Sequence, residues 1–198
     1  MKQGLSEIIC IIDRSGSMES IRNDAIGGFN AFLEEQKKIQ GEATLTYIQF
    51  DTEYEIVHEH KPLQDVEPIN DKIYMPRGST ALLDAIGKTI DSTGKRLANL
   101  PEENRPEKVI VSILTDGEEN SSHHYNLSQI KEMITHQKKK YSWEFIFLAA
   151  NQDAFDEAAK IGIDTKDAFN FAATGRGVRE AYINMNDCVA FLRRRSDS

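Results

Sequence analysis

Apolar residues along the chain follow two periods, and the places where one gives way to the other mark the elements. Ile8-Ile9-Cys10-Ile11-Ile12 and Val109-Ile110-Val111-Ser112-Ile113-Leu114 are nearly unbroken apolar runs rich in β-branched residues. Runs without polar alternation suit strands covered on both faces, as in the middle of a parallel sheet. Ala43 to Phe50 and Trp143 to Ala150 read as further strands, and Asp167 to Ala172 as a last short one. Between them apolar positions recur every three or four residues. Ile21, Ala25, Phe29, Phe32 and Leu33 define one amphipathic helix, and Leu83, Ile86, Ile90 and Leu97 a second. Leu127, Ile130 and Ile134 mark a third, Asp153 to Lys160 a short fourth, and Val178, Ala181, Met185, Cys188 and Leu192 the last. This alternation specifies an α/β sandwich, a mostly parallel sheet of about six strands with helices on both faces.

Turn residues sharpen the boundaries. Asp51-Thr52-Glu53 separates the strand ending at Phe50 from Tyr54-Glu55-Ile56-Val57. A link that short permits only an antiparallel hairpin, which puts one antiparallel strand at a sheet edge. Residues His58 to Gly78 contain Pro62, Pro68 and Pro76 without a sustained period and read as a long loop across that edge. Gly41 and Gly162 are helix stop signals, Pro101 blocks extension of the second helix, and Asn126 with Gln129 forms a capping box. Gly27-Gly28 inside the first helix costs helix propensity, which points to close packing of helix on strand.

At 198 residues the chain fits one domain over residues 1–198, long enough for a substantial core. No apolar run approaches the roughly 20 residues that cross a bilayer. Met1 to Ser6 runs directly into the first strand with no signal-peptide pattern, so the expected location is cytoplasmic. A net charge of −8 argues against general affinity for nucleic acid or anionic membrane. The basic runs Lys138-Lys139-Lys140 and Arg193-Arg194-Arg195 fall at helix ends, where cations complement the helix dipole. Cys10 and Cys188 have no redox or zinc spacing and read as buried thiols.

The first apolar run stops on Asp13-Arg14-Ser15-Gly16-Ser17, and the second on Thr115-Asp116-Gly117. Side chains just past such strands stand at the carboxyl edge of the sheet, where open α/β folds keep their ligand crevice. Carboxylates and hydroxyls are hard oxygen donors, which suit magnesium, calcium or manganese and not zinc. Arg14 and Arg77 either pair with acids of a partner or balance local negative charge. Glu118, Glu119 and Asn120 read as solvated loop residues, with contact to a partner or a second ion as the alternative. His123-His124 lacks a zinc frame and reads as surface, and Asp24, Asp84 and Asp91 as exposed helix charges.

Asp13-x-Ser15-x-Ser17, Thr80 in Gly78-Ser79-Thr80-Ala81, and Asp116 in Leu114-Thr115-Asp116-Gly117 together resemble the metal-ion-dependent adhesion site (MIDAS) of von Willebrand factor A domains. The resemblance spans essentially the whole chain and implies a Rossmann-like three-layer sandwich. It also implies that Ser15 and Ser17 hold a cation directly, Thr80 directly or through water, and Asp13 and Asp116 mostly through water. Mg2+ is the implied ion, with Mn2+ or Ca2+ as substitutes. The position left open then takes an Asp or Glu of a protein partner, and stand-alone members of this type work beside ATPases, in stress responses or in assembly. The alternative is a metal-dependent, phosphatase-like hydrolase with Asp13 as nucleophile. Such enzymes carry a second aspartate two residues on as general acid, and Ser15 stands there.

Overall fold

A computed structural model describes residues 1–150 and 154–195. Six strands form one sheet: β1 (Lys2–Asp13), β2 (Ala43–Phe50), β3 (Tyr54–Pro62), β4 (Pro106–Thr115), β5 (Glu144–Ala150) and β6 (Ala168–Phe171). Their order across the sheet is β3-β2-β1-β4-β5-β6. All neighbours run parallel except β2 and β3, the expected edge hairpin. The sheet's two open edges differ in kind. β3 carries register shifts against β2 and holds His60 at φ 45°, while β6 is only 4 residues long.

Among the described residues five α-helices cover the sheet: α1 (Arg22–Lys37), α2 (Leu82–Ala98), α3 (Leu127–Tyr141), α4 (Ala154–Lys160) and α5 (Gly175–Arg194). The pleat of β1 shows why both faces need covering. Ile8, Cys10 and Ile12 pack with Phe29 and Leu33 of α1 and Met185 of α5, while Ile9 and Ile11 pack with Ile86 and Ile90 of α2 and Ile130 of α3. An apolar side chain on either face thus leaves water, which is the main source of stability for such a strand.

Several boundaries moved from where the residue pattern put them. β3 continues past Val57 to Pro62, so the expected loop starts later. The remainder of that loop is a working part of the core. Its own Leu63, Val66, Ile69 and Tyr74 are buried in the core, and Asn30 of α1 exchanges two 2.9 Å hydrogen bonds with the Ile69 backbone. α1 stops at Lys37, short of Gly41. The short helix expected from Asp153 runs from Ala154 onward, and Asp153 itself lies outside the described residues. The Asn126–Gln129 capping box forms as expected.

Gly27 and Gly28 were expected to let helix approach strand, and the packing is instead helix on helix. A Cβ at Gly28 would lie 2.2 Å from Tyr182 Cδ2 of α5, whereas one at Gly27 would meet nothing within 4 Å. Cys10 is fully buried, but Cys188 is only half-buried. A buried acid also escaped the pattern: Glu7 of β1 is 0% exposed and pairs with Arg96 of α2. Among the described residues no helix is long and apolar enough to cross a membrane.

Candidate metal centre

Asp13 is the last residue of β1 and is fully buried. Both of its oxygens are engaged: the Ser15 backbone N–H donates to Oδ1 at 2.6 Å and the Thr115 hydroxyl to Oδ2 at 2.6 Å. The carboxylate therefore acts as a clamp joining the loop after β1 to the end of β4. Beyond it the chain turns into a 3₁₀ segment, Gly16–Ile21, anchored by buried Met18 and Ile21. That turn brings the Ser15 and Ser17 hydroxyls to 3.0 Å from each other, and Ser17 donates to Asp116 Oδ1 at 2.6 Å.

Thr80 reaches the same place from the loop before α2. A Cβ built at Gly117 would lie 2.9 Å from Thr80 Oγ1 and 3.8 Å from Ser17 Oγ, so only glycine leaves this space to the hydroxyls. The Gly16 N–H donates to the Gly78 carbonyl at 3.1 Å, tying the two loops together. All five sequence-derived residues, Asp13, Ser15, Ser17, Thr80 and Asp116, thus gather at the carboxyl edge of β1 and β4.

The electrostatics are one-sided. Burial pushes the Asp13 carboxyl up to about 6, against the lowering effect of its hydrogen bonds, and burial also raises Asp116. Arg14 is next in sequence but turns away, its guanidinium buried and bonded to Asp51 at 2.8 Å and Glu55 at 2.5 Å. Arg77 likewise serves Asp51 (3.1 Å) and Glu53 (2.7 Å). Among the described residues neither Asp13 nor Asp116 has an ion-pair partner. Two desolvated carboxylates beside three hydroxyls are a donor set that fits a hard divalent cation.

Sequence similarity is silent here: neither a protein-family model nor a curated protein sequence matches the chain. Solved structures do match. Proximal thread matrix protein 1 from the mussel byssus aligns over 94% of this chain and 46% of its own, with TM-score 0.64 and 14% identity. Another structure of that protein, with a zinc-occupied MIDAS motif, aligns at TM-score 0.63 and 14% identity over the same shares, 94% and 46%. The von Willebrand factor domain of the type V pili tip protein Mfa5 from Porphyromonas gingivalis aligns over 98% of this chain and 97% of its own, with TM-score 0.62 and 10% identity. The chain has the von Willebrand factor A fold. The ArnB paralog VWA2 from Sulfolobus acidocaldarius shares that fold at TM-score 0.59 and 15% identity, over 92% of this chain and 45% of its own. This chain spans about half the length of the byssus and archaeal structures, 46% and 45%.

Within the von Willebrand factor A fold, the residues just past Asp116 have work that their sequence context hid. Glu119 was expected to be solvated, yet it accepts from Leu83 N–H at the start of α2 and from the backbone of Ser121 and Ser122. Asn120 holds Thr80 by two bonds, accepting from its N–H at 2.9 Å and donating to its carbonyl at 3.1 Å. Asp84, expected as a free surface charge, accepts three backbone N–H groups from His123, His124 and Tyr125. Asp24 and Asp91 are also engaged, with Arg179 and the Tyr125 hydroxyl. The only advance signal was the density of Asp, Glu, Asn and Ser, which are turn and cap residues. Glu118 is exposed, and His123 and His124 belong to no cluster of three His, Cys, Asp or Glu side chains among the described residues.

Proposed function

We propose that the chain is a divalent-cation-dependent protein-binding module in which Ser15, Ser17 and Thr80 contact the ion and Asp13 and Asp116 act mostly through water. The observation that carries this reading is the pair of acids, buried Asp13 and half-buried Asp116, set beside converging hydroxyls with no ion-pair partner among the described residues. The byssus protein, whose MIDAS motif is zinc-occupied, supports divalent-ion chemistry on this fold. Magnesium is the proposed ion, because it binds through few protein ligands and keeps several waters. When bound, such an ion supplies an electrophilic centre that attracts a carboxylate from outside.

The residues fit that division of labour. Both Asp13 oxygens are already held by Ser15 and Thr115, so this carboxylate supports the site from behind. The same engagement argues against Asp13 as a phosphatase nucleophile, and Ser15 cannot serve as the general acid that chemistry requires. A partner approaching a chain of net charge −8 with an exposed Asp or Glu needs a local positive centre. We place the module in the cytoplasm, without nucleic-acid or membrane affinity.

Capture from extract of the native cells tests the reading. A partner should be retained in millimolar magnesium and released by EDTA, and Thr80→Ala and Asp13→Ala should each abolish retention. A complex indifferent to EDTA and to Thr80→Ala sinks the proposal.

A further inference from the structure

A groove of about 660 Å³ opens beside the candidate metal centre, between the β2–β3 turn, α2 and the segment 121–125. Its near wall is Ala81, the residue after Thr80, and from there it follows one stripe of α2 through Asp84 and Ala85 to Lys88. Tyr54 and Tyr125 give it apolar sides, and His123 and His124 line its outer rim.

The charges in this groove are unequal in availability. Asp51 already accepts from Arg14, Arg77 and the Glu53 backbone, Glu53 pairs with Arg77, and Asp84 holds three backbone N–H groups. Lys88 is exposed, stands 4.4 Å from the centre of the Tyr54 ring, and has no carboxylate within salt-bridge range among the described residues. The exposed imidazoles of His123 and His124 add hydrogen-bond donors on the same side. Arg14 and Arg77 balance Asp51 and Glu53, and the backbone of residues 123–125 holds the Asp84 carboxylate, so Lys88 is the lining cation left without a carboxylate partner among the described residues and can receive an acid.

We infer that this groove seats the segment flanking the metal-bound acid of the same protein partner, and that Lys88 receives a second acidic residue. The inference rests on the metal reading above. Spacing follows from helix geometry: from Ala81 to Lys88 the rise is about 10 Å at 1.5 Å per residue. A polyproline-II-like chain, with three residues per turn at about 3.1 Å each, covers about that in three residues and keeps residues i and i+3 on one face, so the partner carries two acids separated by two residues.

Blocked peptides test it, with isothermal titration of acetyl-Gly-Asp-Gly-Gly-Asp-Gly-amide in millimolar magnesium against versions with either Asp replaced by Asn. The two-acid peptide should bind about three- to fivefold tighter than either one-acid peptide, the gain an exposed ion pair supplies. Lys88→Glu should erase that advantage and leave one-acid binding unchanged, while favouring a peptide with Lys in the second place. Equal binding of one-acid and two-acid peptides, equal weakening of all of them by Lys88→Glu, or no binding at all overturns the inference. A two-acid advantage that depends on Lys88 but survives EDTA keeps the groove and removes the metal reading instead.

Discussion

The Ser17 hydroxyl donates a 2.6 Å hydrogen bond to Asp116 across 99 residues of sequence. That bond closes the candidate centre, because it joins the loop after β1 to the loop after β4 with no positive group between them. An ion entering there replaces a contact between two of its own proposed ligands.

Magnesium should therefore stabilise the folded chain, since a ligand that binds only the native state adds RT ln(1 + [L]/Kd). At an ion concentration ten times Kd the gain is about 1.4 kcal/mol. Thermal melts with and without magnesium should show a rise in Tm for the wild type and none for Ser15→Ala/Ser17→Ala. Equal shifts in both proteins would remove these serines from the ligand set.

Acid should weaken ion binding. Burial holds the Asp13 carboxyl at about 6, so protons compete for it below that pH, and Asp116 shifts the same way. Apparent affinity should fall about tenfold between pH 7.5 and pH 5, as expected for loss of one ionised group. The ion-free fold has the opposite preference. Its Asp13 is raised above the unfolded value, so its stability should decline as pH rises from about 4 to about 6. Calorimetric ion titrations and urea melts across this range check both signs, and pH-independent affinity would contradict the first.

The adjacent glycines of α1 should respond differently to alanine. Gly28→Ala drives a methyl into Tyr182 and should cost about 1–3 kcal/mol. Gly27→Ala meets open space and should gain up to about 1 kcal/mol from helix propensity. Urea denaturation of the two variants measures the contrast.

Arg14→Met should destabilise the chain by about 3–5 kcal/mol, because it strands buried Asp51 with one cation fewer and leaves the Arg14 site without its charge. Arg77→Met, at the exposed end of the same network, should cost visibly less. A reversed order in chemical melts would mean that Arg77, not Arg14, holds Asp51.

The parts of this architecture legible in advance were those set by local period and by chemistry confined to one loop. Ile8 to Asp13 announced a buried strand ending on a charge, and Asp13, Ser15 and Ser17 announced oxygen donors, because both signals sit within a few residues. The contacts of Glu119, Asn120 and Asp84 are hidden in the sequence for the opposite reason. Their partners, Leu83, Thr80 and the His123–Tyr125 backbone, lie about 40 residues away, at separations of 36, 40 and 39 to 41. Glu7 was hidden in the same way, since its burial depends on Arg96 arriving from α2, 89 residues on. Gly28 showed that something must come close but not what: Tyr182 is a neighbour only once α5 lies on α1.

The bent margin of β3 limits how other molecules can join this sheet. A flat margin offers a row of unspent N–H and C=O groups to any passing strand. Here the shifted register and the left-handed backbone at His60 break that row, and Glu55, Glu59 and Lys61 place charges along it. At the far side β6 gives an incoming strand only 4 residues to grip. Both margins thereby disfavour strand addition between copies of the chain.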